Sequence, residues 1–169
     1  MRTALTVSGV RIDGMREVLG LRLGNSESFT TWDEMFAWLK QRGLSGVAFV
    51  VSDGNSGLEK AIAKHFHNAS WQRCQVHLMR NIVGHCGSKI KAQVASAAKR
   101  IFGADNITEA HKRLAEFSTQ FAKSAPKAVA CLEAGFEDAM AVMALPEKHR
   151  QRLRTTNMQE RLNQEIRRR

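Results

Sequence analysis

The most constraining feature of the chain is the apolar run Val47 to Val51, within "GVAFVVSDG", which ends abruptly in Ser52-Asp53-Gly54. An uninterrupted apolar strand, rather than an alternating one, is the kind that is buried on both faces, and such strands belong to sheets flanked by helices. A carboxylate where that strand runs out has two readings. Above the ends of sheet strands lies the crevice in which ligands and metals bind. Asp is also an ordinary residue with which to start a helix or form a turn. Taken alone, Asp53 fits both.

The neighbouring patterns support an α/β region. Ala4 to Ile12 and Glu17 to Leu23 are β-rich and are separated by Asp13-Gly14, a hairpin signal. Thr31 to Arg42 carries Trp32, Met35, Phe36 and Leu39 at helical spacing and stops at Gly43. Asn55 to Phe66 predicts the next helix, Ser70 to Gln72 a short strand, and Val76 to Val83 a further helix. The hairpin and the Val47–Val51 strand are expected to share one sheet. From Ser88 to Leu145 only helical patterns follow: Ile90 to Phe102, Thr108 to Phe121, and Pro126 to Met143 with a break near Gly135. A polar, basic helix closes the chain. The expected organisation is an α/β part over 1–87, an all-α segment over 88–145 and a basic helix over 146–169 that returns to the α/β part.

At 169 residues the chain has room for one ordinary domain with a core. No segment has the length of a membrane span, and "MRTALTVSGVRI" lacks the pattern of a signal peptide. Three cysteines are an odd number and suit a reducing cytoplasm, with no membrane partner expected. The net charge is +10, and Lys148 to Arg169 contains eight Lys/Arg against two Glu. A basic end interleaved with Asn, Gln and Thr suits a polyanion, nucleic acid above all; its bland counterpart is a solvated helix or a disordered tail.

Three constellations carry candidate chemistry. Asp53 is the first. The second is "TTNMQERLNQEIRRR", Thr155 to Arg169, in which Met158, Leu162 and Ile166 form a narrow apolar seam and Glu160 lies opposite among Asn157, Gln164 and Arg167. A carboxylate ringed by amide and guanidinium groups suits a site that holds a metal and a phosphate together. The same residues fit a helix start with Asn157 as the cap and Glu160 as its third-position partner. The third is "RCQVHLMRN", where Cys74 and His77 have metal-ligand spacing. Zinc needs about four ligands, and adjacent His85-Cys86 is a poor complement. A small buried Cys with a hydrogen-bonded His, or a nucleophile–base pair, are the other readings. Trp32, Trp38 and Trp71 read as packing residues.

Together, "VSGVRIDGMREVLGL", "VVSDGNSGLEKAI", "WQRCQVHLMRN" and "PEKHRQRLRTTNMQERLNQEIRRR" resemble the mutator-type transposase family of bacterial insertion sequences, in order along essentially the whole chain. The resemblance implies a ribonuclease H-like catalytic domain with an Asp-Asp-Glu triad and a helical insertion between the second Asp and the Glu. Asp53 matches the second Asp and Glu160 the Glu, as catalytic and metal-binding residues; Cys74 and His77 match a cysteine/histidine motif that positions DNA. The implied cofactor is Mg²⁺ in a two-metal site that stays incomplete here. The implied reaction is phosphoryl transfer on DNA during transposition. Arg73, Arg154, Arg161, Arg168 and Arg169 join Cys74, His77, Asn157, Gln164 and Arg167 as expected DNA contacts. The implied partners are insertion-element ends, with a second copy or a full-length transposase beside them.

The family's first Asp lies on a strand that precedes the segment matched here, and Asp13 is no substitute because it sits in the hairpin turn. The expectation is therefore a truncated form of the family, inactive alone, in which Asp53 and Glu160 approach each other. The competing readings are a non-enzymatic basic protein that binds DNA or regulates a full-length transposase, and a small hydrolase using Cys74 and His77.

Overall fold

The computed structural model describes residues 3–24 and 26–168, apart from the side chains of Thr3, Met158, Ile166 and Arg167. It is a mixed α/β structure. Two strands, β1 (Thr3–Val10) and β2 (Arg16–Gly24), are followed by α1 (Phe29–Gln41), β3 (Phe49–Ser52), α2 (Ser56–His65), β4 (Ser70–Arg73) and α3 (Gln75–Gly84). Helices α4 (Ser88–Phe102), α5 (Ile107–Phe121) and α6 (Pro126–Met140) come next, then a short 3₁₀ turn (Ala141–Ala144), α7 (Glu147–Leu153) and α8 (Asn157–Arg168). Residues 88–145 contain helices and no strand, as the periodicity predicts. Among the described residues no helix is long and apolar enough to cross a membrane.

The hairpin forms where Asp13-Gly14 predicts it. Gly14 takes the left-handed backbone (φ 83°) that a residue with a side chain avoids. Asp13 accepts the Met15 N–H through Oδ1 at 2.9 Å, the usual Asx device for closing a turn. The antiparallel ladder shifts register between Val7 and Ser8, a bulge that leaves Leu19 without an opposite residue.

One expectation needs correction. The hairpin and β3 do not share a sheet: β1 pairs with β2, and β3 pairs with β4, as two separate two-stranded sheets. The Ala48 carbonyl accepts from Ser70 N at 3.0 Å and the Ser52 carbonyl from Cys74 N at 2.7 Å. This constant offset is that of a parallel ladder, so the hydrogen-bonding of β3 is directed at β4. Nor is the apolar run fully buried. Phe49 to Val51 are half-buried and only Ser52 is buried, because a two-stranded sheet has too few neighbours to enclose both faces.

The chain divides into two compact units, with the boundary running through β3 and β4. One comprises 1–50, 54–70 and 156–169; the other comprises 51–53 and 71–155. In the first, α1 packs on β2 and α2. Its core holds Leu5, Trp32, Met35, Phe36, Leu39, Leu58 and Ile62, each contributing on the order of 1.5–3 kcal/mol by leaving water. Ser28 caps α1 reciprocally with Thr31. Ser8 Oγ donates to Gln159 Oε1 at 2.6 Å and ties β1 to α8.

In the second unit, α3 to α6 enclose a continuous core that includes Leu78, Ile82, Val94, Ile101, Phe117, Leu132 and Phe136. Helix α6 runs without a break through Gly135. The glycine is there for proximity: a Cβ on it would lie 2.9 Å from Leu78 Cδ1 and 3.0 Å from an Arg73 guanidinium nitrogen. The basic C-terminal segment is two helices rather than one. The Arg154 carbonyl at the end of α7 accepts from Gln75 N at 3.0 Å, an external partner that diverts the chain from continuing its helix. The β-branched pair Thr155-Thr156 then leads into α8.

Candidate active site

Asp53 follows the last residue of β3, and its placement decides between its two sequence readings as far as helix capping goes. The cap of α2 is Asn55, whose Oδ1 accepts from Gly57 N at 3.0 Å and Leu58 N at 3.1 Å. Asp53 is therefore not the N-cap. Ser52, buried beneath it, donates from Oγ to the Asp53 carbonyl at 2.8 Å and accepts from Trp71 Nε1 at 2.8 Å. These bonds fix the backbone at the end of β3, where the Asp53 side chain is half-buried.

The paired strand β4 delivers the cysteine/histidine segment. Cys74 is fully buried, so a role for its sulfur runs through packing and not through reach into solvent. His77, half-buried on the first turn of α3, has Nε2 at 3.4 Å from Nη1 of Arg80. Arg73 is half-buried and packs beside Gly135; its Nε is buried and, among the described residues, has no hydrogen-bond partner. The Gln75–Arg154 backbone bond brings the half-buried Arg154 to the start of α3. Asp53, Arg73, Cys74, His77 and Arg154 thus belong to one unit.

Glu160 belongs to the other unit, with Asn157, Arg161, Gln164 and Arg168 on α8. Its N–H donates to the Thr156 carbonyl at 3.0 Å, which makes Asn157 the first helical residue and not the cap. Glu160 is half-buried, while Asn157, Arg161, Gln164 and Arg168 are exposed. Of the apolar seam, Leu162 is half-buried. The Met158, Ile166 and Arg167 side chains and the whole of Arg169 lie outside the described residues.

Among the described residues no group of three or more His, Cys, Asp or Glu is placed to hold an ion. The described residues therefore do not by themselves make a complete metal centre, and zinc at Cys74 and His77 finds no third ligand among them. Burial raises the thiol pKa of Cys86 and of Cys131 above the ordinary value, which disfavours the thiolate a nucleophile needs.

Two buried amides escaped the sequence reading. Gln72, fully buried on β4, donates from Nε2 to the Ala139 carbonyl at 2.6 Å and accepts from Val142 N at 2.6 Å. Gln75, also buried, donates to the same Ala139 carbonyl at 2.8 Å. They hold the end of α6 and the following turn against β4 and α3. A glutamine in a short strand pattern carries no signal that it is buried.

The family model described as "Transposase, Mutator family" matches residues 2–169. The chain belongs to the mutator family of transposases. The transposase for the IS256 element in transposon Tn4001 from Staphylococcus aureus is 44% identical over 164 residues, covering 95% of this chain and 42% of that protein. The transposase for ISRM5 from Rhizobium meliloti is 34% identical, over 99% of this chain and 42% of the relative. That for IS406 from Burkholderia multivorans is 36% identical, over 98% and 43%. This mutator-family chain spans less than half the length of these relatives.

Proposed function

We propose that the chain is the part of an insertion-element transposase that carries two acids of its reaction centre, Asp53 and Glu160, within a ribonuclease H-like region bearing α4–α6 as a helical insertion. The observation that carries this reading is that Asp53 directly follows the end of β3 and that Asn55, not Asp53, is the N-cap of α2. The family match supports the chemistry: DNA recombination by phosphoryl transfer. Asp53 and Glu160 would be ligands to Mg²⁺, whose part is to neutralise the charge that develops on phosphate oxygens. A further ligand beyond these two acids is required.

Arg73, Arg154, Asn157, Arg161, Gln164 and Arg167 to Arg169 supply cations and amides to DNA phosphates at the element's ends. His77 orients DNA, with the buried Cys74 packing behind it. Partners on this reading are the element ends and further copies of the transposase. A second reading, a DNA-binding protein without catalysis, is favoured by the absence of a three-ligand metal group among the described residues.

The two readings part on metal binding. Mn²⁺ titration followed by electron paramagnetic resonance should show binding that weakens at least several-fold in both Asp53→Asn and Glu160→Gln. Binding indifferent to both substitutions would remove the acids from any metal site and leave the non-catalytic reading.

A further inference from the structure

We infer that the exposed face of α4 is a second contact surface for the phosphate backbone of duplex DNA; the inference rests on the DNA-recombination reading above. From Cys74 to Ala104 the chain has no Asp or Glu, yet it includes Arg80, Lys89, Lys91, Lys99 and Arg100. The following stretch, Asp105 to Glu147, is net acidic, with seven Asp/Glu against four Lys/Arg. Charge is thus segregated within one unit and gathered on α4.

The helical register makes a face of it. Val94, Ala98 and Ile101 point into the core. Lys89, Ala92, Gln93, Ser96, Lys99 and Arg100 are all exposed, and at 3.6 residues per turn they fall within an arc of about 120°. From Lys89 to Arg100 the face is about 16 Å long at 1.5 Å per residue. Its cations are uncommitted. Among the described residues none of Lys89, Lys99 and Arg100 forms an ion pair, whereas Arg113 on α5 is tied to Glu109 at 2.9 Å and Lys64 on α2 to Asp33 at 2.8 Å. At the edge of the face, Glu116 lines a crevice together with Arg100 and Arg113.

The composition of the face selects the ligand. Short neutral side chains between the cations let a phosphate backbone approach and add hydrogen-bonding groups. There is no aromatic side chain on which an unpaired base could stack, which argues against a single strand. There is no large apolar side chain to enter a bilayer, which argues against a membrane. What remains is sequence-independent attraction to the backbone of a duplex.

The test is the salt dependence of binding to a fluorescent DNA duplex of arbitrary sequence. The parent chain is compared with Lys89→Gln/Lys99→Gln/Arg100→Gln and with a control of equal charge, Lys112→Gln/Lys123→Gln/Lys127→Gln, whose three sites are exposed on α5, α6 and the loop between them. Gln is close to Lys and Arg in helix propensity, and circular dichroism verifies that all chains keep their helicity. The slope of log K against log salt should fall in magnitude by about 2 to 3 in the α4 variant, at roughly 0.9 per contact, and by less than about 1 in the control. Lys89→Arg/Lys99→Arg should keep the parent slope. An α4 variant with the parent slope, or a control that loses as much, overturns the α4 surface and leaves the DNA reading intact. A parent chain that does not bind the duplex overturns both.

Discussion

Nε2 of His65 at the end of α2 lies 2.7 Å from Oδ1 of Asp33 on α1. Lys64 Nζ reaches the same carboxylate, 2.8 Å from Oδ1 and 2.9 Å from Oδ2. His65 is itself enclosed by Phe36 and Phe66, with ring centroids 5.9 and 6.2 Å away. One carboxylate therefore joins two helices whose apolar faces already meet.

The hydrogen bonds from Lys64 and then His65 hold the Asp33 pKa below its ordinary value of 3.8. A carboxyl with a depressed folded-state pKa contributes stability above its unfolded pKa and loses it as pH falls through the folded value. Asp33→Asn should lower the thermal midpoint at pH 7. The gap to the parent should close as the pH drops below the ordinary carboxylate range. A gap that stays constant from pH 7 to pH 2 would show that the charge of Asp33 is not what links the helices. Because the pair is partly solvent-exposed, the effect should also shrink in high salt.

Gln72 offers a larger effect. Leu in its place fills a similar volume but leaves the Val142 N–H without its acceptor at the turn after α6. The Ala139 carbonyl keeps the bond from Gln75. One orphaned buried donor costs about 1–3 kcal/mol. Gln72→Leu should lower stability in urea by that amount, and Gln72→Glu by more, since it adds a buried charge and removes the donor to Ala139. A Leu variant within about 0.5 kcal/mol of the parent would mean that the turn finds another acceptor.

Gly57 tests packing against backbone. A Cβ on it would lie 2.7 Å from Phe29 N and 3.1 Å from the Ser28 carbonyl carbon, at the start of α1. Helix propensity alone favours Ala over Gly by about 1 kcal/mol. Backbone cannot rotate aside as a side chain can, so the clash should prevail, at roughly 1–3 kcal/mol. Gly57→Ala should therefore destabilise the chain in denaturant; a stabilised variant would show that α1 and α2 can separate slightly without loss.

Much of this was legible residue by residue. Asp13-Gly14 marked the hairpin because few residues tolerate its turn, and Pro126 marked the start of α6 because its missing N–H is harmless there. The apolar face of α1 lies where the spacing of Trp32, Met35, Phe36 and Leu39 puts it. Gly135 misled because a glycine kept for close approach looks the same in sequence as one that breaks a helix. Which of Asp53 and Asn55 caps α2 was not readable either, since both residue types cap well and only the end of β3 at Ser52 sets the register. The single sheet expected for the hairpin and β3 failed for a similar reason: an apolar run says that a strand is sheltered, not which strand it pairs with. At the candidate site, Asp53 and Glu160 are marked only by family motifs, while the acid-free run around α4 is visible in the sequence itself.

The last prediction concerns cleavage by the 169-residue polypeptide itself. Phosphoryl transfer with two ions depends on placing both, because the attacking and leaving oxygens must be held in line while charge builds between them. On the reading proposed above Asp53 and Glu160 supply two acids, and among the described residues no group of three or more His, Cys, Asp or Glu is placed to hold an ion. Asp13 is engaged by the Met15 N–H and by Arg11 at 3.7 Å in the hairpin turn, and Glu17 on β2 is paired with Arg11 at 2.9 Å. Incubated with duplex DNA carrying insertion-element ends and Mg²⁺ or Mn²⁺, the purified polypeptide should bind but neither nick nor join strands. The control is Asp53→Ala under the same conditions. Metal-dependent nicking by the parent that vanishes in the control would overturn the prediction, and would mean that a second polypeptide copy or another acid completes the centre.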